Sequence, residues 1–144
     1  MDYWDTSAVV KLFAPEPDSE QFAEFHKASR PLYISTITDI EVLCTLRRKE
    51  KLQNIPVGSA GRLYQRFLSD CALGHIVRVP YGDDVVRHAR EVVRRALHGS
   101  KTVMVRSLDV IQIASALAIN AKRIVAIDSR LREVASLNSL ALLP

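Results

Sequence analysis

The sequence is poor in cysteine and lacks any apolar run long enough to cross a membrane. Its two cysteines, Cys44 and Cys71, are far apart and do not have the spacing of metal ligands, so we expect buried free thiols in a reducing cytoplasm. The absence of a long apolar run predicts no transmembrane helix. Asp2, Asp5 and Lys11 interrupt the N-terminal segment, so we expect no signal peptide.

Internal repeats, low-complexity tracts and long linkers are also absent. With 144 residues, 48% of them hydrophobic, the chain is long enough to bury a core without disulfides, and we expect one domain over 1–144. A charged fraction of 25% argues against disorder. The net charge of +4 is compatible with a polyanionic partner, although charge alone does not identify one.

Short apolar runs alternate with helical patterns, which predicts an α/β fold with a central, mainly parallel sheet of four to five strands. The helix opened by Pro56 has Val57 on its apolar stripe, and the helix over 83–98 has Val93 among its inward residues. The predicted strands are 2–5, 32–35, 75–79, 124–127 and 140–143. The other predicted helices are 17–28, 38–50 and 107–121.

Four carboxylates fall where strands end or where helices begin. Asp5 ends the first strand, and Asp128 ends the fourth. Glu41 lies in the first turn of the helix after the second strand, and Asp109 in the first turn of the apolar helix over 107–121. Ligands of open α/β sheets bind beyond the carboxyl ends of the strands, so we expect these side chains at one edge. Four neighbouring carboxylates repel each other unless cations compensate them, and Mg²⁺ or Mn²⁺ prefers oxygen ligands.

Each acid taken alone also has an explanation in helix formation. Asp5 and Asp128 suit the N-cap position of the helix that follows each of them. Thr38 and Glu41 match a capping box, in which the glutamate bonds back to the Thr38 amide. Asp109 suits the positive end of a helix dipole. The four acids as a set, rather than any one of them, favour a metal site.

Four segments that contain the site acids occur in the order of a known family: 5–12 with 15–17, then 37–42, 107–114 and 126–131. These segments resemble PIN-domain proteins, and most of all the VapC-like toxins of type II toxin–antitoxin modules. The resemblance implies a PIN fold, with three layers around a central parallel sheet, and RNA cleavage that depends on Mg²⁺ or Mn²⁺. It also implies a homodimer and a cognate antitoxin that occludes the acidic site. The chain departs from the family at Ala126, where a Thr or Ser is usual.

The resulting hypothesis is a metal-dependent endoribonuclease. Asp5, Glu41 and Asp109 would hold the principal ion, and Asp128 would complete the site directly or through water. A bound ion acidifies a water molecule and polarises a phosphoryl oxygen. Two hydroxyl residues next to Asp5 are candidates for hydrogen bonds to a carboxylate or to substrate phosphate, and equally for ordinary first-turn helix residues: Thr6 and Ser7.

Two other functions are compatible with an α/β chain of this length. A response-regulator receiver would have a tandem acidic pair after its first strand and a lysine after a late strand. This chain has the single Asp5, and no lysine follows Asp128. A PIN-like protein that has lost catalysis and serves as an RNA-binding or assembly module stays open. RNA cleavage that EDTA abolishes would separate the enzyme from such a module.

Overall fold

The computed structural model describes residues 1–28 and 30–143. Five strands and seven helices alternate along these residues. The strands are β1 (Asp2–Trp4), β2 (Leu32–Ser35), β3 (Ile76–Val79), β4 (Arg123–Val125) and β5 (Ala141–Leu143). The helices are α1 (Thr6–Val10), α2 (Ser19–Ala28), α3 (Thr38–Lys51), α4 (Ser59–Ala72), α5 (Asp83–His98), α6 (Ser107–Ala118) and α7 (Ser129–Leu137).

The strands form one parallel sheet in the order β3-β2-β1-β4-β5. Tyr3 of β1 is aligned with Tyr33 of β2 on one side and with Ile124 of β4 on the other. This confirms the predicted parallel sheet. A receiver has the order 2-1-3-4-5, so the position of β1 between β2 and β4 excludes that alternative. The direction in which strands are added reverses between β1 and β4, where open sheets of this type bind ligands.

Alternation along each strand divides the core into two apolar clusters, one on each face of the sheet. Trp4 and Val125 belong to the cluster covered by α1 to α4, whereas their neighbours Tyr3 and Ile124 belong to the cluster covered by α5 to α7. Successive side chains of a strand point to opposite faces, so both faces of this buried sheet require apolar residues. The three-layer arrangement is confirmed.

Several predicted element boundaries differ from the structure. The helix that Pro56 was expected to open begins at Ser59, after the left-handed turn at Gly58. Helix α6 ends at Ala118 rather than at residue 121, because Asn120 adopts a left-handed conformation with φ 55°. Strand β4 ends at Val125, where its pairing with β5 reaches Leu143. Asp128 therefore lies three residues beyond the strand instead of at its end.

Three residues that were predicted to be buried are exposed, and the local backbone geometry explains each case. Val57 is 83% exposed because it precedes Gly58, whose φ of 83° turns the chain before α4 begins. Cys44 is an exposed thiol, since it lies about 200° around α3 from the buried Val42. Val93 is 37% exposed, next to the fully buried Val92 of α5. Within the described residues, no helix is both long and apolar enough to cross a membrane.

Candidate active site

Asp5 directly follows β1, at the edge of the sheet where the carboxyl ends of the parallel strands lie. Its amide donates to the Val125 carbonyl (2.9 Å), which continues the pairing of β1 with β4. Its carboxylate caps α1 and accepts hydrogen bonds from the Ser7 amide (3.0 Å) and the Ser7 hydroxyl (2.6 Å), both at Oδ2. The residue is 8% exposed. Asp5 is thus an N-cap and a carboxylate at the predicted edge.

Glu41 does not form the predicted capping box. Helix α3 begins at Thr38, and its N-cap residue, Ile37, makes no side-chain capping bond. Oε2 of Glu41 instead accepts hydrogen bonds from the Thr6 hydroxyl and from Nε2 of Gln112, the latter at 2.6 Å. Glu41 therefore turns from its own helix end toward α1 and α6.

Asp109 is the third acid of this group. It is half-buried in the first turn of α6, and the preceding N-cap residue, Arg106, makes no side-chain capping bond. The electrostatic effect of Asp109 reaches both Asp5 and Glu41. The carboxylates of Asp5, Glu41 and Asp109, which we call the acidic trio, are therefore close enough to repel each other.

Burial and repulsion raise the pKa of two members of the trio. Burial is the main cause for Asp5, and the Asp109 charge adds to it, while hydrogen bonds from Ser7 act in the opposite direction to lower the pKa. Burial is also the main cause for Glu41, and the charges of Asp5 and Asp109 raise its pKa further. Ionising Asp5 and Glu41 therefore costs free energy in the folded protein.

Cations do not relieve this repulsion. Across residues 1–28 and 30–143, none of the four predicted site acids forms an ion pair with lysine, arginine or histidine. Other buried or half-buried acids do: Asp2 binds Arg123 through two hydrogen bonds (2.7 and 2.8 Å), and Glu16 pairs with Lys11 and Lys49. Among the described residues, the trio thus differs from these acids because no cationic side chain is paired with it.

The structure places Asp128 differently from the trio. Its side chain is exposed and caps α7 by accepting a hydrogen bond from the Leu131 amide (2.9 Å). It lines an open surface cavity that also includes Lys101, Arg130 and Glu133. The Asp109 charge contributes to the raised pKa of Asp5, and the charges of Asp5 and Asp109 contribute to that of Glu41, whereas Asp128 is not among the causes of either shift. The Ser7 hydroxyl, which binds Asp5, also accepts a hydrogen bond from the amide of Ile127, the residue before Asp128, at 3.4 Å.

Thr6 and Ser7 both bind site carboxylates. The Thr6 hydroxyl donates to Glu41, and Ser7 donates twice to Asp5. Thr6 is buried and Ser7 is half-buried, because both belong to the first turn of α1. The sequence suggested that these hydroxyls bind either a carboxylate or substrate phosphate. The hydrogen bonds to carboxylates are present, and a contact with substrate phosphate stays a prediction.

Sequence reasoning missed three polar residues beneath the trio. Gln112 of α6 is 2% exposed and donates to Glu41, Thr6 and Thr38. Its carbonyl accepts from the hydroxyl of Tyr3, which is fully buried. Burial raises the pKa of Tyr3 well above its usual value, and the Asp5 charge contributes to this. One signal was available: Gln112 is a polar residue inside an apolar helix, three residues after Asp109 and hence on its face.

The donor set suits a hard divalent cation in its chemistry. Carboxylate oxygens are the ligands that Mg²⁺ and Mn²⁺ prefer, and the uncompensated charge of the trio is what such an ion would neutralise. Among the described residues, however, no three Asp, Glu, His or Cys side chains converge into a ready-made metal site. The residues fit the ion by charge and atom type, and the ion itself would have to draw the carboxylates together.

Comparisons with known proteins agree on the fold. The PIN domain family matches residues 3–137. No curated protein sequence matches the chain. A solved structure of VapBC2 from Rickettsia felis bound to a promoter DNA fragment is similar, with a TM-score of 0.71, 16% identity, and coverage of 99% of this chain and 98% of that one.

Two further structures are similar over comparable lengths. One is FitAcB from Neisseria gonorrhoeae, with a TM-score of 0.69, 16% identity, and coverage of 100% of this chain and 97% of that one. The other is a toxin–antitoxin complex from Klebsiella pneumoniae, with a TM-score of 0.68, 15% identity and the same coverage. At such identities the likeness concerns the fold.

The family match covers nearly the whole chain, including the segments that carry Asp5, Glu41, Asp109 and Asp128. The five-stranded parallel sheet between two helical layers is the fold that the sequence resemblance implied. The resemblance is therefore confirmed, and the chain belongs to the PIN-domain family.

Proposed function

We propose that this protein is an Mg²⁺- or Mn²⁺-dependent endoribonuclease and the toxin of a type II toxin–antitoxin pair. The acidic trio carries the proposal. Three carboxylates lie where the parallel sheet reverses its strand order, two of them have a raised pKa, and none has a cationic partner within the described residues. Maintaining such repulsion destabilises the fold, which is typical of a site selected for function.

Each side chain of the site has a definite task in this proposal. Asp5, Glu41 and Asp109 would hold the ion, and Asp128 would act through water. When bound, a divalent ion supplies an acidified water nucleophile and stabilises charge on the phosphoryl group. Ser7 fixes the Asp5 carboxylate, and Thr6 fixes that of Glu41, so their oxygens are oriented before substrate arrives.

RNA is the proposed substrate, and an antitoxin and a second copy of this chain are the proposed partners. The net charge of +4 favours approach to a polyanion. The Klebsiella pneumoniae neighbour is a toxin–antitoxin complex, and this supports an antitoxin as partner. We propose that 1–144 acts as one PIN-like domain in the cytoplasm, where the free thiols of Cys44 and Cys71 would stay reduced.

Cleavage of labelled single-stranded RNA by the purified protein tests the activity. We expect cutting with Mn²⁺ or Mg²⁺ and none with EDTA. Asp109→Asn should abolish cutting, because it replaces a charged metal ligand by a neutral amide. It should leave the fold intact, because the amide has nearly the same shape as the carboxylate. Asp84→Asn is the matched control, since Asp84 is an exposed acid on α5 that pairs with Arg87. Full activity of Asp109→Asn would contradict the proposal.

A catalytically silent PIN module is the second candidate. Two observations favour it: the trio does not converge into a ready-made metal site, and Asp128 is occupied as a helix cap. Such a module would bind RNA without cutting it at any Mn²⁺ concentration. The cleavage assay combined with an RNA-binding assay therefore separates the two candidates.

The toxin role is tested in a bacterium. Inducible expression of wild type should arrest growth and produce discrete new RNA ends, and the same expression of Asp5→Ala should do neither. Mapping those ends identifies the target RNA. Growth arrest by both proteins, without new ends, would show that cleavage is not the cause.

A further inference from the structure

A buried polar chain runs from the core to the acidic trio. It begins at the hydroxyl of Tyr3, a fully buried residue of β1 on the sheet face covered by α5 to α7, which donates to Oε1 of Gln112. It continues from Nε2 of Gln112 to Oε2 of Glu41 at 2.6 Å. The chain of three side chains connects β1, α6 and α3, which are distant in the sequence.

The chain of hydrogen bonds has one consistent direction. An ionised carboxylate only accepts hydrogen bonds, so Glu41 requires the NH₂ end of the Gln112 amide. The amide oxygen then faces Tyr3, which has to donate. The second Nε2 proton lies near the hydroxyls of Thr6 (3.1 Å) and Thr38 (3.2 Å), which can accept it. In this orientation, all polar atoms of the Gln112 side chain have hydrogen-bond partners. In a flipped amide, the Gln112 oxygen would face the Glu41 carboxylate, and two acceptors would repel each other.

Both hydrogen bonds to Glu41 end on the same oxygen. Thr6 and Gln112 each donate to Oε2, and no described residue donates to Oε1. We propose that Tyr3 and Gln112 are positioning residues, which hold Oε2 of Glu41 within the protein so that Oε1 alone is offered to a metal ion. This inference rests on the proposed function, since it concerns the same site.

One-oxygen binding has a consequence for metal choice. Ca²⁺ commonly takes both oxygens of a carboxylate in a large, flexible shell, whereas Mg²⁺ requires a small octahedral shell. A glutamate restricted to one oxygen favours the smaller ions. Tyr3 and Gln112 should therefore support discrimination against Ca²⁺ as well as affinity for Mn²⁺ or Mg²⁺.

Direct metal titration tests this without any RNA. Mn²⁺ and Ca²⁺ dissociation constants are measured by calorimetry for wild type, Gln112→Leu and Tyr3→Phe. Loss of a hydrogen-bonding partner behind a metal ligand typically weakens metal binding by about 10–100-fold, which we expect for Mn²⁺ with Gln112→Leu. Tyr3→Phe removes one supporting hydrogen bond, and we expect roughly a 2–10-fold loss. In both variants Ca²⁺ affinity should fall less, so the preference for Mn²⁺ over Ca²⁺ decreases.

Two matched variants serve as controls. Gln65→Leu makes the same change at an exposed position of α4, and Tyr33→Phe makes the same change at the residue aligned with Tyr3 on β2. Both should leave the two affinities unchanged. Tyr3→Phe, which preserves the ring and its packing, decides the question if Gln112→Leu does not fold.

The outcomes are distinguishable. A lower Mn²⁺ affinity together with a lower preference over Ca²⁺ supports the inference. Affinities that stay at the wild-type values, or that fall by one common factor for both ions, overturn it and leave the proposed function standing. A wild-type protein that binds neither Mn²⁺ nor Mg²⁺ in the same titration overturns the proposed function itself.

Discussion

At the scale of the residue, Asp5 has two opposing effects on the stability of the fold. It caps α1 through Ser7, which stabilises the fold, and its buried negative charge faces those of Glu41 and Asp109, which destabilises the fold. The pKa of Asp5 is raised because burial, with a contribution from the Asp109 charge, outweighs the hydrogen bonds from Ser7. Neutralising the residue should therefore stabilise the metal-free protein, although it would remove a proposed ligand.

We expect metal-free Asp5→Asn to be more stable than wild type at pH 7. Asparagine keeps an oxygen that can accept from Ser7 and removes the charge. Because the pKa of Asp5 is higher in the folded protein than in the unfolded chain, ionising it lowers the free energy of unfolding as pH rises through that range. The gain should be a few degrees in Tm, at about 2–4 °C for each 1 kcal/mol, and should vanish below the ordinary carboxyl pKa.

Differential scanning calorimetry in EDTA from about pH 3 to pH 8 provides the measurement. Asp84→Asn is the control, because Asp84 is exposed and pairs with Arg87 at the protein surface. A wild-type protein more stable than Asp5→Asn at pH 7 would show that capping outweighs repulsion.

The individual acids could be predicted from the sequence, whereas their hydrogen-bond partners could not. Asp5 follows a recognisable strand, and Asp109 begins an apolar helix, so local patterns locate both. Gln112 reaches Thr6 across 106 positions of sequence and Tyr3 across 109. Such contacts depend on how α6 packs against the sheet, which residue spacing does not encode. The capping box of Thr38 and Glu41 was wrong for the same reason, since a tertiary partner replaced the local one.

At the scale of the element, the short strand β4 decides where Asp128 lies. Pairing with β5 stops at Val125, so Ala126 and Ile127 leave the sheet and Asp128 begins α7. The sequence has a continuous apolar run over 124–127, and periodicity alone cannot show where strand pairing ends. Helix existence was predictable from apolar spacing, but ends set by backbone turns, such as Asn120, were not.

Two substitutions at Asp128 separate its capping role from a role in cleavage. Asparagine is as good an N-cap as aspartate, so Asp128→Asn should retain the stability of the protein. Asp128→Ala removes the bond to the Leu131 amide and should cost about 1 kcal/mol. In RNA cleavage we expect Asp128→Asn to lose roughly 10-fold, as for a group acting through water, compared with complete loss in Asp109→Asn.

Chemical denaturation and the cleavage assay measure the two effects independently. Ser129→Ala, at the next residue, controls for changes at the exposed start of α7. Unchanged cleavage by Asp128→Asn would assign the residue to capping alone, and the site would then comprise only the trio.

At the scale of the whole molecule, three layers converge on the acidic trio. Asp5 comes from the sheet, Glu41 from the helical layer on one face and Asp109 from the layer on the other. Repulsion among them therefore acts between layers, and an ion bound by all three would link the layers together. Metal binding and global stability should be coupled for this reason.

We expect Mn²⁺ to raise the Tm of the wild-type protein and EDTA to reverse the change. An ion present at 100 times its Kd adds about 2.7 kcal/mol to the free energy of unfolding, which corresponds to roughly 5–10 °C for a chain of this size. The increase should grow as pH rises from 5 to 8, because the ligands have to be ionised and the pKa of Asp5 and Glu41 is raised. Asp109→Asn should lose most of the increase, whereas Asp84→Asn should retain it. An equal increase in Asp109→Asn would place the ion elsewhere on the protein, because a trio without Asp109 has lost the carboxylate that α6 contributes.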